Sequence, residues 1–304
     1  MGRKIDTVLI HNEFFMKKYT LLSSFFFVFF LVQACSSDDG SPQAETPLQA
    51  ETRMNVSYGP HPQQVYDLYL PAGRNSEDTK VLVLIHGGGW TSGDKSDMNG
   101  TVSLLQNLHP EYAIVNVNYV LANAQHYAFP NQFLNIQSIL SKLIAESGEL
   151  HIKPEFGMIG TSAGAHLAMM YDYQYDTDDL VKMVADIVGP TDFTDPFYEE
   201  HFDLPTAVQN IVDQDAYPPG TEYLVELSPI THAGSSSSPT CMFYGTEDPL
   251  VPATNGTALQ QKLNQAGVDN TLRIYQGGHG NDWSNQDLIE AQGIISDYIT
   301  TYLP

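Results

Sequence analysis

Apolar residues recur in short runs between residues 65 and 280, and a polar or glycine-rich segment follows each run. The run "KVLVLIHG" at 80–87 is continuously apolar, which is typical of a strand buried on both faces of a parallel sheet. The alternation in "VYDLYLPA" at 65–72 predicts a half-exposed strand. Further strands are predicted in "YAIVNVNYVLA" and at the starts of "FGMIGTSAG", "VKMVADIVGPTDF", "PTCMFYGTED" and "TLRIYQGGHG".

Helical spacing of apolar residues is clearest at 131–147, directly after Pro130, a residue suited to a helix start. Other helices are predicted at 101–108, 162–173, 254–267 and 286–302. Strands that alternate with helices predict a mostly parallel sheet with helices on both faces. In such sheets the functional side chains gather at the carboxyl ends of the strands.

The alternation is interrupted at 193–238, a long segment rich in Pro, Asp, Tyr and Ser. Loops of this length are often functional. Its part 193–226 is a candidate for a cap over a binding pocket, and an ordinary surface loop is the alternative. The aromatic residues of this part are Phe193, Phe197, Tyr198, Phe202 and Tyr217. The chain contains no repeats and no second apolar core, so 55–304 is predicted to be one domain.

The first 35 residues differ from the rest. Lys17 and Lys18 precede a short apolar segment, Leu21 to Val32, and then Ala34-Cys35. A membrane-spanning helix needs about 20 apolar residues, so this shorter pattern predicts an export signal with a natural start at Met16.

The predicted signal ends at Cys35 in "VQAC", which resembles a bacterial lipobox, and "CSSDDG" resembles a surface-export signal of Bacteroidota lipoproteins. Plain secretion with an incidental cysteine is the alternative. A multiply acylated Cys35 would anchor the protein stably, and 36–54 is polar enough to be a flexible tether. The prediction is therefore a protein on the outer-membrane surface that contacts the membrane through lipid alone.

Charge and cysteine content narrow the classes further. Thirteen Lys+Arg face 36 Asp+Glu, a net charge of -23, and this balance argues against a nucleic-acid partner, which needs basic patches. After Cys35 only Cys241 remains, in the apolar run "TCMFYG", where a buried free thiol is expected.

Three strand ends carry residues suited to acyl transfer. "GTSAG" places Ser162 on a predicted strand–turn–helix, the context of a nucleophile that needs small neighbours. A serine hydroxyl needs an adjacent base, and His279 in "GGHG" is the candidate, whereas His166 is expected to pack or hydrogen-bond locally. Asp248 in "GTEDPL" is the predicted orienting acid, with Asp192 as runner-up. Ser, Asp and His follow one another in that chain order.

The glycine run in "HGGGW" has a role beside such a triad. Attack on a carbonyl creates an oxyanion, and backbone N–H groups must approach it closely. Gly88 and Gly89 are predicted to supply these donors, together with Ala163 after the nucleophile. A glycine turn at a strand end is the alternative.

These motifs together resemble the carboxylesterase branch of the α/β-hydrolases, which includes hormone-sensitive-lipase-like esterases and kynurenine-formamidase-like proteins. The motifs that carry the resemblance span about residues 58–303: "HGGGW", "SGDK", "VNYVLA", "GTSAG", "SPITH", "GTEDPLVP" and "GGHG". The resemblance implies an α/β-hydrolase fold with an eight-stranded sheet, and neither metal nor cofactor. Relatives often carry Arg at Val120, Asp at Asn135 and Gly-Gly at Gly164-Ala165, so the subfamily is left open.

The resulting hypothesis is a serine ester hydrolase that acts on a small-molecule or glycan-linked ester, with Trp90, Trp283 and Asp192 as candidate pocket residues. An arylformamide hydrolase would use the same residues. A non-catalytic binder with a hydrolase fold and a metal hydrolase are alternatives from other classes. A lipase would carry a larger apolar lid and a prolyl-type peptidase a further domain. No oligomeric state is predicted.

Overall fold

The computed structural model describes residues 47–201 and 204–304. Predictions about Met16, Cys35 and Phe202, and most of the predicted tether, lie outside this part of the chain. The described strands are β1 (Glu51–Ser57), β2 (Val65–Leu70), β3 (Val81–Ile85), β4 (Ala113–Val117), β5 (Phe156–Thr161), β6 (Val181–Ile187), β7 (Thr240–Gly245) and β8 (Asn270–Tyr275). The α-helices are α1 (Asn99–Leu108), α2 (Asn131–Ala145), α3 (Ser147–Leu150), α4 (Ala163–Met170), α5 (Pro196–His201), α6 (Leu204–Ile211), α7 (Tyr223–Glu226), α8 (Pro229–His232), α9 (Ala253–Ala266) and α10 (Asn285–Tyr302).

All eight strands belong to one sheet, in the order β1-β2-β4-β3-β5-β6-β7-β8. The pairs β1–β2 and β2–β4 are antiparallel, and every pair from β4 to β8 is parallel. The predicted mostly parallel sheet of eight strands is confirmed. Because β3, β5, β7 and β8 are parallel, the loops that follow them emerge at one edge of the sheet.

Helices cover both faces of the sheet, as predicted. Along β3 the side chains alternate: Val83 and Ile85 belong to one apolar cluster, and Leu82 and Leu84 to the other. The first cluster includes residues of α2, α4 and α9, and the second includes residues of α1 and α10. This two-sided burial is why the strand is continuously apolar.

Strand β1 corrects the predicted boundary between tether and domain. It begins at Glu51, inside the segment 36–54 that the sequence analysis predicts as a tether. Its residues, "ETRMNVS", are half-exposed or exposed because β1 is an edge strand with one neighbour. Pairing with β2 and a hydrogen bond from Asn55 N to Asp67 Oδ1 (2.8 Å) hold it, so no apolar face marks it in the sequence.

The segment 193–238 is not an open loop. It contains the four short helices α5 to α8, each between four and eight residues long. Helices this short bury too few residues to produce a recognisable periodicity. Part of the segment reaches the neighbourhood of Ser162, as described below.

Candidate active site

Ser162 occupies a strained turn between β5 and α4. Its φ of 53° and ψ of -121° are unusual for a residue with a side chain. A Cβ on Gly160 would lie 2.4 Å from Ala165 N, and one on Gly164 would lie 2.1 Å from Ile85 O. Both glycines of "GTSAG" are therefore required by close packing around the turn. A hydrogen bond from Ser162 N to Ile187 O (2.7 Å) ties the turn to the neighbouring strand.

The structure brings Ser162, His279 and Asp248 into one hydrogen-bonded chain. His279 Nε2 lies 2.9 Å from Ser162 Oγ, and His279 Nδ1 lies 2.6 Å from Asp248 Oδ2. The carboxylate accepts the Nδ1 proton, which leaves Nε2 as the acceptor for the serine hydroxyl. These contacts have the geometry of a nucleophile, its base and the acid that orients the base.

Asp248 is held more rigidly than its two acidic alternatives. Its side chain is fully buried, and Oδ1 accepts hydrogen bonds from Leu250 N (2.8 Å) and Val251 N (3.0 Å). Glu247 is exposed and accepts a hydrogen bond from Gln276 instead. Asp192 is the runner-up acid. Its Oδ1 accepts hydrogen bonds from the backbone N and the hydroxyl of Thr194, so it does not orient His279.

The three predicted oxyanion donors have free N–H groups. Within residues 47–201 and 204–304, the amides of Gly88, Gly89 and Ala163 donate to no protein acceptor. Gly88 has a φ of 117°, and a Cβ on it would lie 2.1 Å from Ser92 O. A Cβ on Gly89 would meet nothing within 4 Å, which leaves open space beside the serine. Free amides beside a nucleophile can stabilise a developing oxyanion.

His86 and Tyr119 fix the position of the glycine loop. His86 Nδ1 donates to Gly87 O (2.6 Å), and the Tyr119 hydroxyl donates to His86 O (3.0 Å). The two rings stack with centroids 4.4 Å apart. Burial lowers the pKa of His86, so the ring is neutral and acts as part of the scaffold.

A cavity of about 210 Å³ opens beside Ser162. Trp90 lines it, as predicted, and so do Phe193 and Tyr198 from the predicted cap segment. Its other lining residues are Gly89, Pro190, Leu250 and Val251. Of the remaining cap candidates, Phe197 stacks on His201 and Tyr217 contacts Tyr223, and neither lines this cavity. The apolar lining suits an acyl group.

Two predicted pocket residues do not line this cavity. Trp283 is buried in the apolar cluster that includes residues of α1 and α10, and its indole N–H donates to Gly278 O (3.1 Å). It therefore supports the loop that carries His279. Asp192 makes the turn contacts with Thr194 and points to no group of the triad. Adjacency in sequence placed both residues near the site, but side-chain direction decides what lines a cavity.

His166 also departs from its prediction of local packing. It is fully buried, and its ring hydrogen-bonds Leu227 O (2.8 Å) and the Trp90 indole (3.3 Å), both more than 60 residues away. Two further polar residues were not among the predicted site residues. Gln132 donates to Trp90 O, and Asn255 accepts from Thr191 N. These polar residues interrupt otherwise apolar helix faces, which is the one signal that could have found them.

Two further kinds of feature, metal sites and membrane-spanning helices, are absent from the part of the chain that the structure describes. In residues 47–201 and 204–304, no group of three His, Cys, Asp or Glu side chains could hold a metal ion. No helix in that same part of the chain has the length and apolar character needed to cross a membrane.

Known proteins resemble this chain in sequence and in fold. Esterase LipC of Mycobacterium tuberculosis is 22% identical over 244 residues, which cover 76% of this chain and 60% of that protein. A carbohydrate esterase from gut microbiota is 17% identical with a TM-score of 0.64, over 83% of this chain and 98% of that one. Esterase B of Lactobacillus rhamnosis is 19% identical with a TM-score of 0.64, over 83% and 86%.

These likenesses agree with the observed sheet and establish the α/β-hydrolase fold that the motifs imply. The chain spans only 60% of the length of its curated relative LipC. A family model matches residues 66–263, a range that includes Ser162 and Asp248 and covers most of the sheet. On that match, the chain belongs to the BD-FAE family.

Proposed function

We propose that the protein is a serine carboxylic-ester hydrolase that acts through an acyl-enzyme on Ser162. The observation that carries this proposal is the unbroken chain from Asp248 through His279 to Ser162, beside three amides without acceptors. A non-catalytic binder would have no need of this alignment. The chain's likeness to proteins named as esterases supports the same reaction class.

The geometry assigns a role to each residue in acylation. His279 Nε2 takes the hydroxyl proton of Ser162, whose Oγ attacks the acyl carbonyl carbon. The carbonyl oxygen becomes an anion, and the amides of Gly88, Gly89 and Ala163 stabilise it. Asp248 stabilises the imidazolium that forms. The imidazolium then protonates the leaving alcohol, and the acyl group remains on Ser162.

Deacylation repeats these steps with water. His279 takes a proton from a water molecule, whose oxygen attacks the acyl carbon and forms a second oxyanion at the same amides. Collapse of this intermediate returns the proton to Ser162 Oγ and releases the carboxylic acid. His279 is partly exposed, with 20% of its side chain accessible, so water can reach it.

The preferred substrates on this proposal are acetyl or other short-chain acyl esters, including esters attached to extracellular glycans. The cavity beside Ser162 measures about 210 Å³, and the aromatic residues Trp90, Phe193 and Tyr198 form part of its lining. That space suits a short acyl group. The export that the sequence predicts and the likeness to a carbohydrate esterase support a glycan as the alcohol.

The test uses residues 36–304 and the variant Ser162→Ala. Release of p-nitrophenol is measured from acetyl, butyryl, octanoyl and palmitoyl esters, and release of acetate from acetylated xylan. We expect fast acetyl and butyryl hydrolysis, slow palmitoyl hydrolysis and no activity in Ser162→Ala. An arylformamide is included as an amide substrate, and faster cleavage of it than of every ester would contradict the proposal. Inactivity of the wild type toward all substrates would favour the binder.

We further propose that the protein is exported and anchored to the outer-membrane surface through lipid on Cys35. The lipobox-like "VQAC" and the following "SSDDG" support this proposal. Growth of a Gram-negative host with radioactive palmitate should label the full chain but not Cys35→Ser. Absence of label from the wild type would leave plain secretion.

A further inference from the structure

Trp90 is held more tightly than a cavity wall requires. Its backbone adopts a φ of 63°, and its carbonyl accepts from Ala122 N (2.9 Å) and Gln132 Nε2 (2.8 Å). Its ring makes edge contacts with Phe129 and Phe193, whose centroids lie 5.6 and 5.7 Å from its own. These contacts fix the position of Trp90 in the lining of the cavity beside Ser162.

The indole of Trp90 donates a hydrogen bond to His166. Trp90 Nε1 donates to His166 Nδ1 at 3.3 Å, and His166 Nε2 lies 2.8 Å from Leu227 O. An indole N–H can only donate and a carbonyl can only accept. The two neighbours therefore assign the tautomer: Nδ1 carries no proton, and Nε2 carries one.

His166 thereby joins three segments that surround the cavity. Its backbone N donates to Ser162 O on the nucleophile turn, and its Nδ1 accepts from Trp90, directly after Gly88 and Gly89. Its Nε2 donates to Leu227 O, within the 193–238 segment. The ring is fully buried among Phe129, Phe133 and Phe193. Burial lowers its pKa to about 4, so the acceptor at Nδ1 persists at neutral pH.

An ordinary core histidine would satisfy its nitrogens without touching the site. His166 instead places its acceptor beside Trp90, which follows the glycine loop in the chain and lines the cavity. We propose that His166 is a positioning residue that holds the Trp90 indole as the wall of the acyl site and so limits acyl length. This inference rests on the proposed ester hydrolysis and deepens it.

Two substitutions separate the two nitrogens of His166. The oxygen of an asparagine side chain can take the place of Nδ1, and the amide nitrogen of a glutamine can take the place of Nε2. His166→Asn thus keeps the acceptor for Trp90 and loses the bond to Leu227 O. His166→Gln keeps the bond to Leu227 O and loses the acceptor for Trp90.

The readout is the ratio of kcat/KM for the octanoyl ester to that for the acetyl ester. We expect His166→Gln to raise this ratio about fivefold, the change that corresponds to one lost neutral hydrogen bond. His166→Asn should leave it within about twofold of the wild type. A merely structural role predicts either of two other results. In one, His166→Gln lowers kcat/KM for both esters by the same factor, and in the other, the octanoyl-to-acetyl ratio rises equally in both variants. Either result would overturn the proposal.

A measurement on the wild type covers the case in which a variant does not fold. The chain has two tryptophans, so Trp283→Phe identifies the Trp90 indole resonance. We expect slow exchange of its N–H with solvent and a 15N coupling between Trp90 Nε1 and His166 Nδ1. Rapid exchange, or a proton on Nδ1, would overturn the assignment of His166.

Alkyl fluorophosphonates separate failure of this inference from failure of the proposed function. They label Ser162 without turnover, so the relative rates of a short-chain and a long-chain reagent report the length limit directly. If the wild type is labelled but hydrolyses no ester, the ester assignment fails, and the labelling ratios in the two variants still decide the role of His166. If the wild type is neither labelled nor active, both proposals fail.

Discussion

Asp248 is the acid on which the base depends, and two neighbouring carboxylates provide the comparison. In Asp248→Asn the side-chain NH2 group replaces the oxygen that faces His279 Nδ1. Nδ1 can then no longer donate to position 248, and the correct tautomer of His279 is no longer favoured. Oδ1 can still accept from Leu250 N and Val251 N, so the loop should keep its shape. We expect kcat to fall by about 10³ to 10⁴ with KM little changed. Steady-state kinetics on the acetyl ester measures this.

Glu247→Gln and Asp192→Asn are the matched controls. Each substitution removes one negative charge. Glu247 is the residue beside Asp248 in the sequence, and Asp192 is the runner-up acid. Neither side chain contacts His279, since Glu247 bonds Gln276 and Asp192 bonds Thr194. Both variants should retain kcat within about threefold, in keeping with the small effects of charges away from the reacting atoms. A loss in Asp192→Asn as large as that in Asp248→Asn would contradict the assignment of the acid.

Gly89 can be tested against a glycine with the same local geometry elsewhere. Gly89 and Gly73 have φ values of 57° and 69°, and an added Cβ would meet nothing within 4 Å at either position. Gly89→Ala and Gly73→Ala should therefore lower the free energy of unfolding by a similar amount, about 1 kcal/mol each. Only Gly89 lines the cavity beside Ser162.

Activity should therefore separate the two glycine variants. We expect kcat/KM to fall about 100-fold in Gly89→Ala, because the new methyl group disturbs the oxyanion donors, and to stay unchanged in Gly73→Ala. Thermal unfolding and ester kinetics on the same samples measure both effects. Equal activity in the two variants would remove Gly89 from the oxyanion site.

Between elements, two of the three positions at which this chain departs from the family that it resembles are neighbours, Val120 and Asn135. Asn135 on α2 accepts from Val120 N (3.0 Å), and its amide donates to Asn131 O (2.7 Å). Its Oδ1 also lies 3.1 Å from the Tyr58 hydroxyl, whose single proton has a closer acceptor in Asn118 O (2.8 Å). The family that the motifs resemble implies Arg at position 120 and Asp at position 135, an oppositely charged combination. In this chain both positions are uncharged, and hydrogen bonds to uncharged groups hold α2 to the 118–122 loop.

Asn135→Asp should therefore be destabilising. Its second oxygen would replace the amide and face Asn131 O at 2.7 Å in a site that is 7% exposed. We expect the free energy of unfolding to fall by about 1–3 kcal/mol at pH 8, measured in urea. Adding Val120→Arg should recover part of that loss. The pairing would be refuted if the effects of the two substitutions simply add.

Strand β1 provides a second prediction at the level of elements. It protects the edge of β2 and pairs with it from Glu51 to Ser57. A chain that begins at residue 58 exposes that edge and should aggregate or melt at lower temperature than one that begins at residue 47. Light scattering during thermal unfolding compares the two. Equal melting temperatures and equal light scattering for the two chains would mean that 51–57 belongs to the tether and does not protect the sheet.

The sequence best predicted two kinds of element: strands that are buried on both faces, and turns whose shape depends on only a few adjacent residues. Strand β3 is apolar because both faces are covered, and the "GTSAG" turn needs its two glycines for reasons within five residues. β1 escaped because this edge strand has no buried apolar face, and α5 to α8 escaped because helices of four to eight residues show no recognisable periodicity. The predictions for Trp283 and His166 rested on their closeness in sequence to His279 and Ser162. The contacts that they make depend instead on the direction of their rings.

For the whole molecule, buried carboxyls determine how stability depends on pH. Asp186 is completely buried at the end of β6, where the Tyr244 oxygen lies 2.6 Å from Asp186 Oδ2 and 2.6 Å from Gly189 O. A tyrosine hydroxyl has one proton and can satisfy only one of these acceptors. A proton on Asp186 resolves the conflict, because Asp186 then donates to Tyr244 and Tyr244 donates to Gly189 O.

Burial accordingly raises the pKa of Asp186 from 3.8 to about 7, with the hydrogen bonds from Tyr244 and Gly189 N opposing the rise. A carboxyl whose pKa is higher in the folded state contributes stability that is complete below its unfolded pKa and is lost as the pH rises through its folded pKa. Asp186 should therefore weaken the fold between about pH 4 and pH 7. Asp186→Asn imitates the protonated form and cannot ionise.

We expect Asp186→Asn to gain stability relative to the wild type as the pH rises from 4 to 8, by on the order of 3 kcal/mol. Urea unfolding at each pH gives the difference. Asp178→Asn is the control, since Asp178 is exposed and its removal should shift the curve little at any pH. His166 acts on both proteins alike, so its own loss of stability below pH 6.5 cancels in the comparison. A difference that is constant with pH would mean that Asp186 ionises in the folded protein as it does in water.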